Sequence, residues 1–155
     1  MIWSDIFEYK EGKLFWKINS GPNMVKGKMA GTSITTSGYH RLKYKGKKYL
    51  NHRIIFEMHN GYLPDIIDHI DQNKLNNNID NLREANRSLN MLNRKYSKKS
   101  KLPKGIHYTN NRYLVQLCGK YLGSYKYLES AIELRNQSEE LKFKEVLNTI
   151  ANGKD

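Results

Sequence analysis

The chain has a single cysteine, Cys118, among its 155 residues. That excludes an intrachain disulfide, leaves no cysteine cluster for a structural zinc, and leads us to expect a reducing, intracellular setting. Cys118 itself reads as a small packing residue. No apolar run is long enough to span a bilayer. The N-terminus has no basic head followed by an apolar stretch, so no secretory leader is expected. Acidic side chains are also scarce, with 15 Asp and Glu against 27 Lys and Arg, for a net charge of +12. So basic a chain favours a polyanionic partner, because Lys and Arg neutralise phosphates and release counterions.

The charge is uneven. Residues 1–65 hold 11 basic and 5 acidic side chains, and residues 94–104 hold 6 basic and none acidic. Between them, residues 66–93 hold 3 basic and 4 acidic side chains, and residues 105–155 are nearly balanced, with 7 and 6. A nearly neutral segment flanked by basic ones suits a reaction centre gripped on both sides by phosphate contacts.

That neutral segment is rich in asparagine, with 8 Asn among the 28 residues from Ile66 to Asn93. Asparagine favours turns and caps over helix and strand interiors. The density therefore predicts a loop fixed by side-chain-to-backbone hydrogen bonds, next to the pair Asp68-His69. Ile66, Ile67 and Ile70 predict a short strand around that pair. Successive strand residues point to opposite faces, so Asp68 and His69 share one only if the strand bends or ends there. Residues 71–78 read as a loop and Asn81-Leu82-Arg83 as a second short strand. A helix then begins, with Asn86 as N-cap, Leu89 and Leu92 on its apolar side, and Asn86 and Asn90 sharing a face. Carboxylate and amide oxygens suit a hard divalent cation, and a histidine beside one can act as general base toward water. Together they suit phosphodiester hydrolysis.

The stretch from Asp68 to Arg83, D-H-I-D-Q-N-K-L-N-N-N-I-D-N-L-R, resembles the ββα-metal (His-Me finger) segment of HNH endonucleases, especially the small phage and homing enzymes. The resemblance implies that Asp68 is a metal ligand, His69 the general base and Asn81 the asparagine that pins the loop. Asn90 falls where the last metal ligand sits, so the chain resembles the subset with Asn in place of His; Asn93 is a neighbour. Upstream, Asn51-His52-Arg53, Asn60-Gly61 and Pro64 resemble the segment that precedes the catalytic strand in that family. There His52 reads as a hydrogen-bonded structural residue and Arg53 as a phosphate contact or a solvated residue. The resemblance implies one Mg²⁺ or Mn²⁺ per active site, double-stranded DNA as substrate, 5′-phosphate and 3′-hydroxyl products, and the cytoplasm of a phage-infected host as setting. No small-molecule cofactor, membrane partner or structural zinc is expected. The alternatives are a non-catalytic DNA-binding protein that keeps the fold, and a nuclease directed at RNA or at a particular nucleic-acid structure.

The expected fold class is α+β, with residues 1–95 forming the nuclease domain. Its N-terminal part is β-rich, with hairpins turning at Glu11-Gly12 and Lys45-Gly46 and a short helix over residues 52–60. Tyr39, Tyr44 and Tyr49 interleave with lysines on the second hairpin, which reads equally as a solvated hairpin or a DNA contact. Residues 96–104 form a basic linker, where Lys98, Lys99, Lys101 and Lys104 would track DNA. Residues 105–155 read as three strands and a helix from Tyr127 to about Ile150, with Ala131, Leu134, Leu141, Val146 and Leu147 as its apolar side. Gly105-Ile106, Tyr108, Tyr113, Val115, Leu122-Gly123, Tyr125, Glu129 and Ala131 resemble an AP2-type DNA-binding module, with Arg135 departing from that family's usual aromatic. The resemblance implies a sheet that enters the major groove, and Arg112, Gln116, Lys120 and His107 are its candidate contacts. Whether the chain is a monomer or a dimer is open.

Overall fold

A computed structural model describes residues 2–93 and 101–152. The chain is mixed α+β and divides into two compact units, Met1–Glu84 and Ala85–Asp155. Lys98 and Lys99 lie outside the described residues. Among the described residues no helix is long and apolar enough to cross a membrane.

The first unit starts with the hairpin β1 (Phe7–Lys10) and β2 (Lys13–Trp16), in antiparallel register with Phe7 opposite Trp16 and Tyr9 opposite Leu14. Its two-residue turn, Glu11-Gly12, has both φ angles positive, at 47° and 78°, the geometry that matches strand twist in tight hairpins. Two-residue alternation sends Phe7, Leu14 and Trp16 inward, all at most 5% exposed. β3 (Met29–Ala30) extends this sheet beside β2. A second antiparallel sheet follows, of β4 (Ser33–Ile34), β5 (His40–Tyr44) and β6 (Lys47–Leu50), with Leu42 and Tyr44 buried.

Helix α1 (Asn51–Asn60) lays Ile54, Ile55 and Phe56 into the shared core. Each such side chain stabilises by about 1.5–3 kcal/mol when fully buried. The helix stops at Gly61, whose φ of 75° allows a left-handed C-cap bonded to the Glu57 carbonyl. Trp3 Nε1–H donates to Glu57 Oε2 at 2.7 Å, fixing the N-terminal turn on the same helix. The unit closes with β7 (Ile66–His69), which pairs with β8 (Leu82–Ala85).

The second unit contains α2 (Arg87–Asn93), then an antiparallel meander of β9 (Ile106–Thr109), β10 (Arg112–Leu117) and β11 (Lys120–Tyr125), then α3 (Leu128–Asn152). Asn86 caps α2 as expected, its Oδ1 accepting from Leu89 N–H at 2.9 Å. The core is small: Ile106, Val115 and Ala131 are at most 1% exposed, and the helix residues packed around them lie between Leu128 and Leu134. That corrects the expected apolar side of α3. Leu141 is 69% and Leu147 37% exposed. Val146 is buried, as expected. Arg135 is buried and ion-paired with Glu139 one turn on, which neutralises the buried charge.

Candidate active site

β7 ends at His69, and both Asp68 and His69 are buried, at 7% and 4% exposure. Gln72 N–H returns to the His69 carbonyl at 2.9 Å, turning the chain out of the strand, and Ile70 N–H to the Asn81 carbonyl at 2.9 Å closes the loop base. The asparagines then do what their density predicts. Asn73, Asn76 and Asn78 each accept from the backbone N–H two residues on, a chain of Asx turns. Asn81 clamps the loop at both ends. Its Nδ2–H donates to Asp71 Oδ1 at 2.9 Å and to the Asn76 carbonyl at 2.8 Å, while its Oδ1 accepts from Asp71 N–H at 3.0 Å. Asn76 donates to the other Asp71 oxygen at 2.8 Å. These contacts, led by the Asn76 side chain, hold the Asp71 carboxyl below its ordinary range.

The residue that touches His69 is Asn77, whose side-chain oxygen is 3.1 Å from His69 Nε2. Asn77 is 2% exposed. An amide oxygen only accepts, so Nε2 carries the proton and Nδ1 becomes the basic nitrogen of the ring. Asn81 thus acts on His69 indirectly, by fixing the loop that carries Asn77. Arg83 on β8 grips Asp68, donating from Nε at 3.0 Å and Nη2 at 2.7 Å to Oδ2. Asn77 does not stand out as a site residue in the sequence, and Arg83 closes the motif there without an assigned role. The asparagine density marks the loop, but nothing in it distinguishes the one Asn that turns inward.

Two rings from elsewhere in the unit join His69. His52 of α1 meets it edge-on at a centroid separation of 5.2 Å, and Tyr39 lies 5.9 Å from His69 and 5.0 Å from His52. His52 differs from its expected role: it is 5% exposed, and its Nδ1 has no hydrogen-bond partner among the described residues. Burial, reinforced by His69 and Arg53 nearby, lowers its pKa to about 3, so it is a neutral ring at physiological pH. Lys74, from the Asn-rich loop, lies 4.8 Å over the Tyr39 ring and donates to the Ser37 carbonyl at 3.0 Å, tying the loop to the β4–β5 connection.

The β1–β2 hairpin supports the same loop from another side. Tyr9 Oη accepts from Ile79 N–H at 3.1 Å and lies 3.3 Å from Asn78 Oδ1. A Cβ on Gly12 would sit 2.7 Å from Asn78 N, so the turn backbone abuts the loop backbone directly.

The other expected site residues fall as follows. Asn90 is exposed on α2, in the second unit. Arg53 donates to the carbonyls of Asp65 and Pro64, both at 3.1 Å, so it staples α1 to the segment entering β7. Lys101 is exposed, while Lys104 donates to the Met91 and Leu92 carbonyls at the end of α2. Arg112, Leu114 and Gln116 share one pleat face, and Leu114 pairs with His107, which brings His107 to that face. Arg112 is braced by Ser124, donating to its hydroxyl and carbonyl. Lys120 pairs with Leu117 instead, beyond a register step after Val115, so it is off the face of Arg112 and Gln116.

Among the described residues no three or more His, Cys, Asp or Glu gather as a metal set. The donors nonetheless fit one kind of ion. Asp68 offers carboxylate oxygen, and an Mg²⁺-type cation takes one or two protein oxygens and keeps several waters. Arg83 on Oδ2 is a resident cation that an incoming ion would have to share.

Residues 49–92 match the family model for HNH endonucleases. The matched segment runs from β6 through α1, β7, the Asn-rich loop and β8 into α2. The chain is therefore similar to HNH endonucleases over that segment. No curated protein and no solved structure matches the chain.

Proposed function

We propose that the protein is a metal-dependent DNA endonuclease of phage or homing type, with β7, β8 and α2 as its ββα-metal element and residues 105–155 as an AP2-like DNA-binding module. The observation that carries the reading is the buried His69–Asn77 contact inside the segment matched to HNH endonucleases. Surface pairs of Asp and His need no such support, whereas a general base needs a fixed tautomer and direction.

In this reading Asn77 holds the Nε2 proton, and His69 Nδ1 takes a proton from a water as that water's oxygen bonds to phosphorus. The bond from phosphorus to the 3′ oxygen breaks and that oxygen takes a proton from solvent water, leaving a 5′ phosphate and a 3′ hydroxyl. Asn81 and Asp71 keep the loop closed, and His52 and Tyr39 exclude water from the buried side of the ring. Asp68 would hold the divalent ion, and Asn90 is the further oxygen donor that the family resemblance implies. When bound, the ion supplies charge neutralisation at the phosphoryl oxygen and the departing 3′ oxygen. Arg112, Gln116 and His107 form the recognition face, with Lys120, Lys98, Lys99, Lys101 and Lys104 as phosphate contacts around it.

The test is supercoiled plasmid incubated with the protein in Mg²⁺, in Mn²⁺ and in EDTA. Nicked or linear product in either metal and none in EDTA is expected. One observation favours a second reading, a DNA-binding protein without cleavage: Arg83 already occupies Asp68 Oδ2. Binding of the same plasmid without cleavage in either metal would select it.

A further inference from the structure

The first unit has a second feature, away from the residues assigned to the chemistry. A groove of about 750 Å³ is lined by parts of β3, β4 and β5 and the segments joining them. Four of its lining residues are cations, Lys28, Arg41, Lys43 and Lys45, and none is acidic. Lys28, Lys43 and Lys45 are exposed and Arg41 is half-buried. Among the described residues none of the four pairs with a carboxylate.

The backbone holds these charges in place at a local cost. Lys43 stands directly opposite Lys48 in the β5–β6 register, and like charges so placed destabilise a sheet. Lys45 occupies the first turn position, at φ 47°, where Gly, Asn or Asp is normally favoured. Lys28 is fixed through its carbonyl, which accepts from Trp16 N–H at 3.0 Å. Uncompensated positive charge on a preformed concave surface is complementary to a polyanion. The aromatic lining residues, Trp16 and Tyr44, are only 5% and 6% exposed, so no ring is presented for stacking unpaired bases. The complementary surface is a phosphate backbone rather than splayed bases.

We infer that this groove is a backbone track for duplex DNA, in which Lys28, Arg41, Lys43 and Lys45 contact successive phosphates. The inference rests on DNA being the substrate, as proposed above. The experiment uses the full chain in a His69→Ala background, so that DNA survives, and follows duplex binding by fluorescence anisotropy across a salt series. The fourfold variant Lys28→Gln, Arg41→Gln, Lys43→Gln, Lys45→Gln should reduce the slope of log affinity against log salt by roughly 3–4, about 0.9 for each phosphate no longer neutralised. Lys43→Gln with Lys45→Gln should give about half that change, and provides the test should the fourfold variant not fold. Arginine at the three lysine positions should keep the parent slope. An unchanged slope in a folded variant, with binding retained, would overturn the groove alone. Absence of duplex binding by the parent protein would overturn the groove and the functional reading together. Tighter binding of single-stranded RNA than of duplex DNA would overturn duplex DNA as the occupant.

Discussion

The two units handle their polar residues in opposite ways. In the first, Asn51, His52, Asp68, His69 and Asn77 all lie at or below 7% exposure, against a core rich in aromatic rings. In the second, the candidate contacts Arg112, Gln116, Lys120 and His107 are exposed on a sheet whose core is three small or medium aliphatic residues. Burying polar groups costs free energy unless each is partnered, and the partners Arg83 and Asn77 fix the directions of Asp68 and His69. Exposed polar groups remain free to meet a partner's surface. The contrast fits the proposed function, with reaction in the first unit and recognition in the second.

The largest effect should come from the base. His69→Ala should lower plasmid cleavage by about 10²–10⁴-fold while the affinity for DNA changes little, as read by single-turnover nicking beside anisotropy. A parallel loss of binding would blur the division of labour between the units. Asn77→Ala is next, with an expected loss of about 10–100-fold in cleavage rate at saturating DNA, the range for removing the group that orients a catalytic histidine. The converse comes from the second unit. Arg112→Ala with Gln116→Ala should weaken specific binding by about 1–3 kcal/mol for each base edge no longer read, and leave the rate at saturation near the parent value.

Two stability measurements sharpen the same contrast. Gly12→Ala should destabilise the first unit by about 1–3 kcal/mol in urea, since it strains a positive φ and drives a methyl into the Asn78 backbone. His52 makes the unit sensitive to acid. Its folded pKa, about 3, lies below the unfolded value of 6.5, so the unfolded chain binds the proton first. Its contribution is intact above pH 6.5 and is lost as pH falls toward 3. His52→Gln should therefore flatten the stability profile, by roughly 2–3 kcal/mol between about pH 6.5 and 4.5. An unaltered profile would show that the ring is not held neutral in the folded unit.

Much of this architecture is legible in the residues. Gly12 and Gly46 mark hairpin turns, Asn86 marks a cap, and the isoleucines around Asp68 mark β7, because each signal is local. The same locality explains what the residues conceal. Asn77 looks like its neighbours Asn76 and Asn78 until the loop folds and only one turns inward. His52 and Tyr39 reach His69 across the fold, and no spacing encodes that. Arg53 reads as a free cation until the carbonyls of Pro64 and Asp65 come within reach. Leu141 and Leu147 follow the helical period of α3, yet both are exposed while Val146 between them is buried.

The most direct measurement is single-turnover cleavage of supercoiled plasmid in Mg²⁺ by the parent protein, His69→Ala and Asn77→Ala, with DNA binding recorded on the same preparations. The account predicts metal-dependent nicking by the parent, none detectable from His69→Ala, a slowed rate from Asn77→Ala, and equal binding by all three. Nicking by His69→Ala at the parent rate would contradict it.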